Sequence, residues 1–342
     1  MIPKEKITIY DLAKQLNTTA STVSRALKDH PRISKKMKAA VHELADKLNY
    51  QPDPIAHHLR TGKGLVLGVI VPRIDRQFFA SVIRGIQSVA QENEYGVIIA
   101  ESNESYEKEI EAVKALVNKK VDGIAISISA NTTDYSHLTR LMERGMPVVF
   151  FDRIPDMPGI DYVISNNYQV GYEAVCHLYE QGCRRIVHFA GPLNLLQYRE
   201  RLAGYRQAIL DLGLEYREEY VIENVITMIR GTEAATQLLT LQQIPDAIFS
   251  AGDYAAITAM DFLKKKGFAI PQDIAVVGVA NEPFLEYLEP SLSSFELHNK
   301  QIGEETAKML LQRMNQETDD SPRNLVLEPK LIVRSSSIKY LK

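Results

Sequence analysis

Apolar residues recur at helical spacing through the first fifty positions and then, from Leu65 onward, gather into short continuous runs, so the chain changes period once. In TIYDLAKQLNTTASTVSRAL, from Thr8 to Leu27, Ile9, Leu12, Ala13 and Leu16 fall at i, i+3, i+4 and i+7 on one helix face. Thr8 stands at the N-cap with Asp11 three residues on, a variant of the capping box in which each side chain satisfies a backbone N–H of the other. Asn17 suits a sharp left-handed turn, and Thr19 is placed to cap a second helix. On that helix Val23 and Leu27 face inward while Ser21, Ser24 and Arg25 face out. A third helix follows Ser34, with Met37, Val41, Leu44 and Leu48 as its stripe, and three such helices close a minimal core. Two short helices joined by a tight turn, the second holding out an arginine, suit insertion into the DNA major groove. A small helical subdomain with a solvated polar face has the same pattern.

Beyond Leu65 the runs LVLGVIV, YGVIIAES, DGIAISI, PVVFFD and YVISNN read as strands, with helix patterns near 77–93, 106–119 and 134–144 between them. A second set follows: RRIVHFAG, EYVIEN, DAIFSAGD, IAVVGVAN and, late, LVLEPKLIVR. Near-continuous apolar strands alternating with helices predict parallel sheets covered on both faces, and two sets predict two similar lobes. Ligands of such sheets sit at the carboxyl ends of the strands, which places the expected site in a cleft between lobes. The predicted architecture is an all-α helix-turn-helix headpiece over 1–50, a hinge or linker over 51–63, and an α/β two-lobe body over 64–342.

The connecting stretch QPDPIAHHLRTGK is too short to hold a helix alone in water, so it is expected to become helical on contact. Leu59, flanked by His57, His58 and Arg60, has the character of an apolar wedge beside cations, as minor-groove proteins use; an ordinary polar interdomain linker reads similarly. Charge supports the first reading. The chain carries −3 in all, but residues 1–63 hold 12 Lys and Arg against 6 Asp and Glu, a balance of +6, which leaves −9 for the remainder. A basic end attracts phosphates while an acidic body discourages indiscriminate coating of DNA. The longest apolar runs are of strand length, and Lys4, Glu5 and Lys6 stand where a signal peptide would be apolar, so a cytoplasmic protein with no membrane partner is expected. Cys176 and Cys183, seven apart in a helical pattern, read as buried or half-buried thiols.

Nothing in the sequence assembles an enzyme. There is no GxGxxG after a strand, no GxxxxGK[ST], no GxSxG and no HExxH, so no catalytic residues, no metal site and no cofactor are expected. His188 sits alone within a strand and reads as a core residue. The strand ends instead carry Asp152, Arg199, Asp253 and Asn281, groups that pair with hydroxyls or a carboxylate on a small ligand. Helix capping or loop solvation would account for each of them as well, and Asp253, just before a helix pattern at Tyr254, fits capping and ligand binding equally.

The strings TIYDLAKQL, STVSRAL, ISKKMKAAVHELADKLNYQP and AHHLRTGK resemble the DNA-binding headpiece and hinge of the LacI/GalR family of bacterial transcription regulators, and the body is similar throughout. The resemblance implies a periplasmic-binding-protein-like body and a homodimer that reads a double-stranded palindromic operator. It implies that Ala20, Ser21 and Arg25 face base edges and that Thr8, Thr19, Thr22 and Ser24 lie near phosphates. Ala56 and Leu59 would be the minor-groove residues, with His57 and Arg60 beside them. Phe79, Asp152 and Arg199 match effector contacts, and a carbohydrate-like small molecule is the implied effector. Departures occur at Asp53 and Pro54, read as hinge cap and first helical position, and at Gly252-Asp253 and Ala280-Asn281, where relatives often carry Asn-Asp and Asp-Asp. Arg73, Arg153 and Arg199 together suggest that an acidic effector such as a sugar acid is accepted. With no heptad segment after SSSIKYLK, a dimer is the expected final state. A solute-binding protein or a small-molecule enzyme with the same body is the competing class, distinguished by whether the chain shifts a palindromic DNA site.

Overall fold

The computed structural model describes residues 7–50, 64–316 and 321–339, in two compact units that meet in sequence between Leu65 and Val66. The first unit is three helices, α1 (Ile9–Gln15), α2 (Ala20–Leu27) and α3 (Lys35–Lys47). Both halves of the capping box are made: the Thr8 N–H donates to Asp11 Oδ2 at 2.8 Å and the Asp11 N–H to Thr8 Oγ1 at 3.4 Å. Asn17 turns the chain with φ of 45°, and the hydroxyls of Thr19 and Ser34 each accept a backbone N–H at 3.2 Å to start α2 and α3. Leu12, Ala13, Val23, Ala26, Val41 and Ala45 form the core. Ala26, not Leu27, is the fully buried partner of Val23 on α2; Leu27 packs at the margin.

The second unit holds two six-stranded sheets. The first runs, in spatial order, β11 (Asn324–Leu327), β5 (Asp161–Ser165), β4 (Val148–Phe151), β3 (Gly123–Ile126), β1 (Val66–Val71) and β2 (Gly96–Glu101), all parallel. The second runs β12 (Lys330–Ile332), β10 (Ser293–Glu296), β9 (Ala275–Val279), β8 (Ala247–Ser250), β6 (Ile186–Phe189) and β7 (Val221–Ile222), parallel except for β12. Helices α4 (Gln77–Glu92) and α11 (Asn299–Met314) cover one face of the first sheet, and α5 (Tyr106–Asn118) and α6 (Ser136–Glu143) the other. Around the second sheet, α7 (Asn167–Glu180) and α8 (Leu196–Asp211) lie opposite α9 (Met228–Leu238) and α10 (Asp253–Lys265). Double cover is why the central strands are apolar without alternation.

Helices α7 and α8 meet backbone to backbone: a Cβ on Gly171 would stand 2.0 Å from the Arg201 carbonyl oxygen, and one on Gly204 2.0 Å from that of Tyr168. The chain passes between lobes three times, from β5 to α7, from β10 to α11 and from β11 to β12. Ser165 Oγ donates to the Leu297 carbonyl at 2.9 Å and ties the first two passages together. The run LVLEPKLIVR is therefore not one strand of the second lobe; Glu328-Pro329 divides it between the two sheets. EYVIEN shrinks to the two residues of β7, and Cys183 lies buried beyond the end of α7. No helix among the described residues is long and apolar enough to cross a membrane.

Candidate functional site

On α2 the side chains of Ser21 and Arg25 are exposed, and Ala20, Thr22 and Ser24 are half-buried. Arg25 makes no hydrogen bond or ion pair among the described residues, so its guanidinium fork is free for an outside acceptor. At the start of α2, Thr19 Oγ1, which accepts the Thr22 N–H, lies 2.9 Å from Ser21 Oγ and 3.0 Å from Thr22 Oγ1, a hydroxyl cluster at the first turn. Tyr10, an aromatic residue standing off the apolar stripe, is 73% exposed on α1. Ala56, His57, Leu59 and Arg60 lie outside the described residues.

In the second unit a cleft of about 790 Å³, counting its open mouth, collects the carboxyl ends of β1, β2, β4, β8 and β9 and the first turns of α8. From the first lobe come Arg73, Arg76, Phe79, Glu104, Asp152 and Arg153; from the second come Gln197, Tyr198, Arg201, Asp253, Tyr254 and Glu282. Arg153 Nη1 donates to Glu104 Oε2 at 2.6 Å, and the same oxygen accepts the Ala130 N–H at 3.0 Å. Burial raises the Glu104 carboxyl, but Arg153 and these bonds pull it below its ordinary value. Burial pushes Asp152 up to about 6, against the pull of Arg153 and Arg201. Arg201 is buried, with Nε donating to Asn167 Oδ1 at 2.8 Å and Nη1 to the Ala251 carbonyl at 2.9 Å.

Asp253 accepts from Ser294 Oγ at 2.7 Å and from the Glu282 N–H at 3.1 Å, and burial lifts it to about 6. Glu282 is pushed to about 7 by burial and by Asp253, against the pull of Arg76. The Arg76 guanidinium lies 4.7 Å over the Tyr254 ring. Across the cleft, Asn194 Nδ2 donates to the Ala130 carbonyl at 2.5 Å, joining the loop after β6 to the loop after β3.

Phe79, Asp152 and Asp253 line this cleft; two other expected residues do not. Arg199 is exposed on the outer side of α8, donating to the carbonyls of Leu193 and Asn194 at 3.3 and 3.0 Å. Arg201, two residues on and roughly 200° around the helix, takes the cleft position. Asn281 braces the bend after β9 instead, donating to Glu296 Oε2 at 3.0 Å and accepting from Arg334 Nη2 at 2.9 Å. Ala280 and Glu282 line the cleft on either side of it. Asp253 does not cap α10, whose N-cap is Gly252; its carboxylate is spent on Ser294 and the Glu282 backbone. The arginine cluster expected for an acidic ligand is not assembled, since Arg199 is outside, Arg153 is held by Glu104, and Arg73 Nε donates to Asp75 Oδ1 at 2.7 Å. His188 donates from Nδ1 to the Phe249 carbonyl at 3.0 Å, stacks on the Phe249 ring at 4.5 Å, and is driven down to about 3 by burial. Among the described residues no group of His, Cys, Asp and Glu is arranged to hold a metal ion.

Comparison with known proteins agrees with both halves. Residues 64–334 match the family model of periplasmic binding proteins and the sugar binding domain of the LacI family, and residues 8–53 match that of bacterial regulatory proteins, lacI family. The chain belongs to the LacI family. Catabolite control protein A of Priestia megaterium is 30% identical over 92% of this chain and 95% of its own length. The HTH-type transcriptional repressor PurR of Vibrio atlanticus is 28% identical over 96% of this chain and 98% of its own. The transcriptional regulator CelR in complex with cellobiose superposes with a TM-score of 0.74 at 29% identity, covering 96% of this chain and 99% of that one. The lac repressor dimer bound to operator and the anti-inducer ONPF shares the fold, with a TM-score of 0.86 at 23% identity over 98% of this chain and 100% of that one. As a LacI-family member the chain is a DNA-binding transcription regulator with a ligand-binding body, and its relatives are regulators rather than enzymes.

Proposed function

We propose that the chain represses transcription as a homodimer, reading a palindromic operator under the control of a carbohydrate-like effector held in the cleft. In this reading residues 1–50 bind DNA, 51–63 form the hinge, and 64–342 bind effector and pair with the second copy. Arg25 reads base edges beside Ala20 and Ser21; Thr8, Tyr10, Thr19, Thr22 and Ser24 meet phosphates; Ala56 and Leu59, flanked by His57 and Arg60, enter the minor groove. Phe79, Asp152, Gln197, Arg201 and Glu282 hold the effector.

One observation carries the reading: Asp152 and Arg201, from opposite lobes, line one cleft, and Arg201 is anchored to Asn167 at a passage between lobes. A ligand that bonds both fixes the lobes against one another at that passage, and a change in lobe spacing reaches the marginal hinge helix. The cellobiose in the CelR structure supports a sugar-sized occupant. Pairing is supported by exposed apolar side chains: Met228 and Ile229 at the start of α9, where Thr258 Oγ1 of α10 donates to the Met228 carbonyl at 2.7 Å, and Phe284, edge-on to Tyr254 at 6.0 Å.

The test is a mobility shift on an inverted-repeat duplex with a panel of sugars. Wild type is expected to bind, and one sugar to alter binding without being consumed; Arg201→Ala is expected to bind DNA normally and ignore that sugar. An unaltered response in Arg201→Ala overturns the cleft assignment.

A further inference from the structure

We infer that the effector carries a protonated amino group, as an amino sugar does, and that Glu282 receives it. The inference rests on the cleft being the effector site. Its basis is a count of which polar groups there are already occupied. The cations face partners already: Arg153 Nη1 donates to Glu104 and its buried Nε, without a hydrogen bond of its own, lies 3.9 Å from Asp152 Oδ2; Arg201 donates to Asn167 and the Ala251 carbonyl, Arg73 to Asp75, and Arg76 lies over the Tyr254 ring.

The acceptors do not. Glu282 is 5% exposed and lines the cleft, yet its carboxylate has no hydrogen bond or ion pair among the described residues. Gln197, 4% exposed on the facing helix α8, has its Oε1 buried with no partner. These are independent vacancies of the same sign, since each lacks a donor.

The neighbours of Glu282 sharpen the choice of donor. Asp253 repels it and has both oxygens committed to Ser294 and the Glu282 N–H, Tyr254 adds no positive charge, and Arg76 acts only from beyond ion-pair distance. A buried carboxyl beside a second carboxyl is costly to ionise unless a cation arrives with hydrogen-bond donors. An ammonium supplies three N–H donors and a full charge at one point, whereas a sugar hydroxyl supplies one donor and no charge. A hexonate would bring a further anion to the Asp253–Glu282 pair and is disfavoured.

The experiment is calorimetric titration of the full-length protein at pH 7.5 with glucosamine, galactosamine, mannosamine and the β-1,4-linked glucosamine dimer. Each is set beside its neutral parent sugar and its N-acetyl derivative, with gluconate as the acid. The expected result is that one amine binds about ten-fold or more tighter than its parent and its N-acetyl form, as a charge-assisted bond in a buried site gives. In Glu282→Gln, with an unchanged or higher thermal midpoint as the folding control, that preference is expected to vanish. Equal or tighter binding by a neutral sugar or gluconate overturns the amine assignment and leaves the cleft reading standing, as does an amine preference that survives in Glu282→Gln. No binding by any sugar of any charge overturns both.

Discussion

Arg25 is the one long side chain on the outer face of α2, between residues as small as Ala20, Ser21 and Ser24, so in the proposed reading most direct base contact by that helix falls to one guanidinium. Arg25→Ala is expected to cost about 1–3 kcal/mol on the cognate duplex and much less on random DNA, measured as the ratio of the two dissociation constants at one salt concentration. A second prediction concerns Glu282, whose carboxyl is held near 7 in the folded protein. At low pH it is protonated whether the chain is folded or not. As pH rises, the unfolded chain ionises first and stability is lost until the folded pKa is passed. Glu282→Gln is therefore expected to melt like wild type at pH 4 and a few degrees higher at pH 8, by calorimetry without ligand. Legibility at this scale depended on local anchors. Thr8, Asn17, Thr19 and Ser34 could be placed because caps and turns are written in the side chains that make them. The cleft arginine could not, because α8 begins after Leu195 with no capping side chain, and without a fixed start the phase of Arg199 and Arg201 around the helix is open.

Among elements, the apolar central strands were readable and the polar ones were not. The segment SSFE is a buried parallel strand, β10, whose serines would read as loop; Ser294 is satisfied by Asp253, and Ser293 Oγ donates to the Arg334 carbonyl at 2.9 Å and lies 2.7 Å from Ser337 Oγ. Those partners lie more than forty residues away in sequence, so only the fold brings them within reach. The split of LVLEPKLIVR has the opposite character, since Pro329 marks the break but not which sheet each half joins. The crossing of α7 and α8 gives a third prediction. In an ordinary helix Gly→Ala is stabilising, by about 1 kcal/mol. At Gly204 the new methyl meets the Tyr168 carbonyl, and the variant is expected to lose about 1–3 kcal/mol by denaturant unfolding. A loss there of this sign separates packing from propensity.

The division into a basic reader and an acidic two-lobe body was legible across the molecule because charge balance and hydrophobic period both change near the same place. The contents of the cleft were less so, since its walls are assembled from strand ends and helix starts of both lobes that no local pattern links. One contact across that cleft has a physiological reach beyond its size. The Asn194 bond to the Ala130 carbonyl joins the lobes directly, and a hydrogen bond of this kind is worth about 1 kcal/mol net, roughly a five-fold bias in the lobe equilibrium. In the proposed reading, ligand that favours the joined arrangement then finds part of its work done, and the concentration at which the switch trips is set partly by an amide that stands outside the cleft lining. Asn194→Ala is expected to move the midpoint of the dose–response curve about five-fold toward higher effector while leaving the saturated response where it was, which titration of operator binding against effector reads directly.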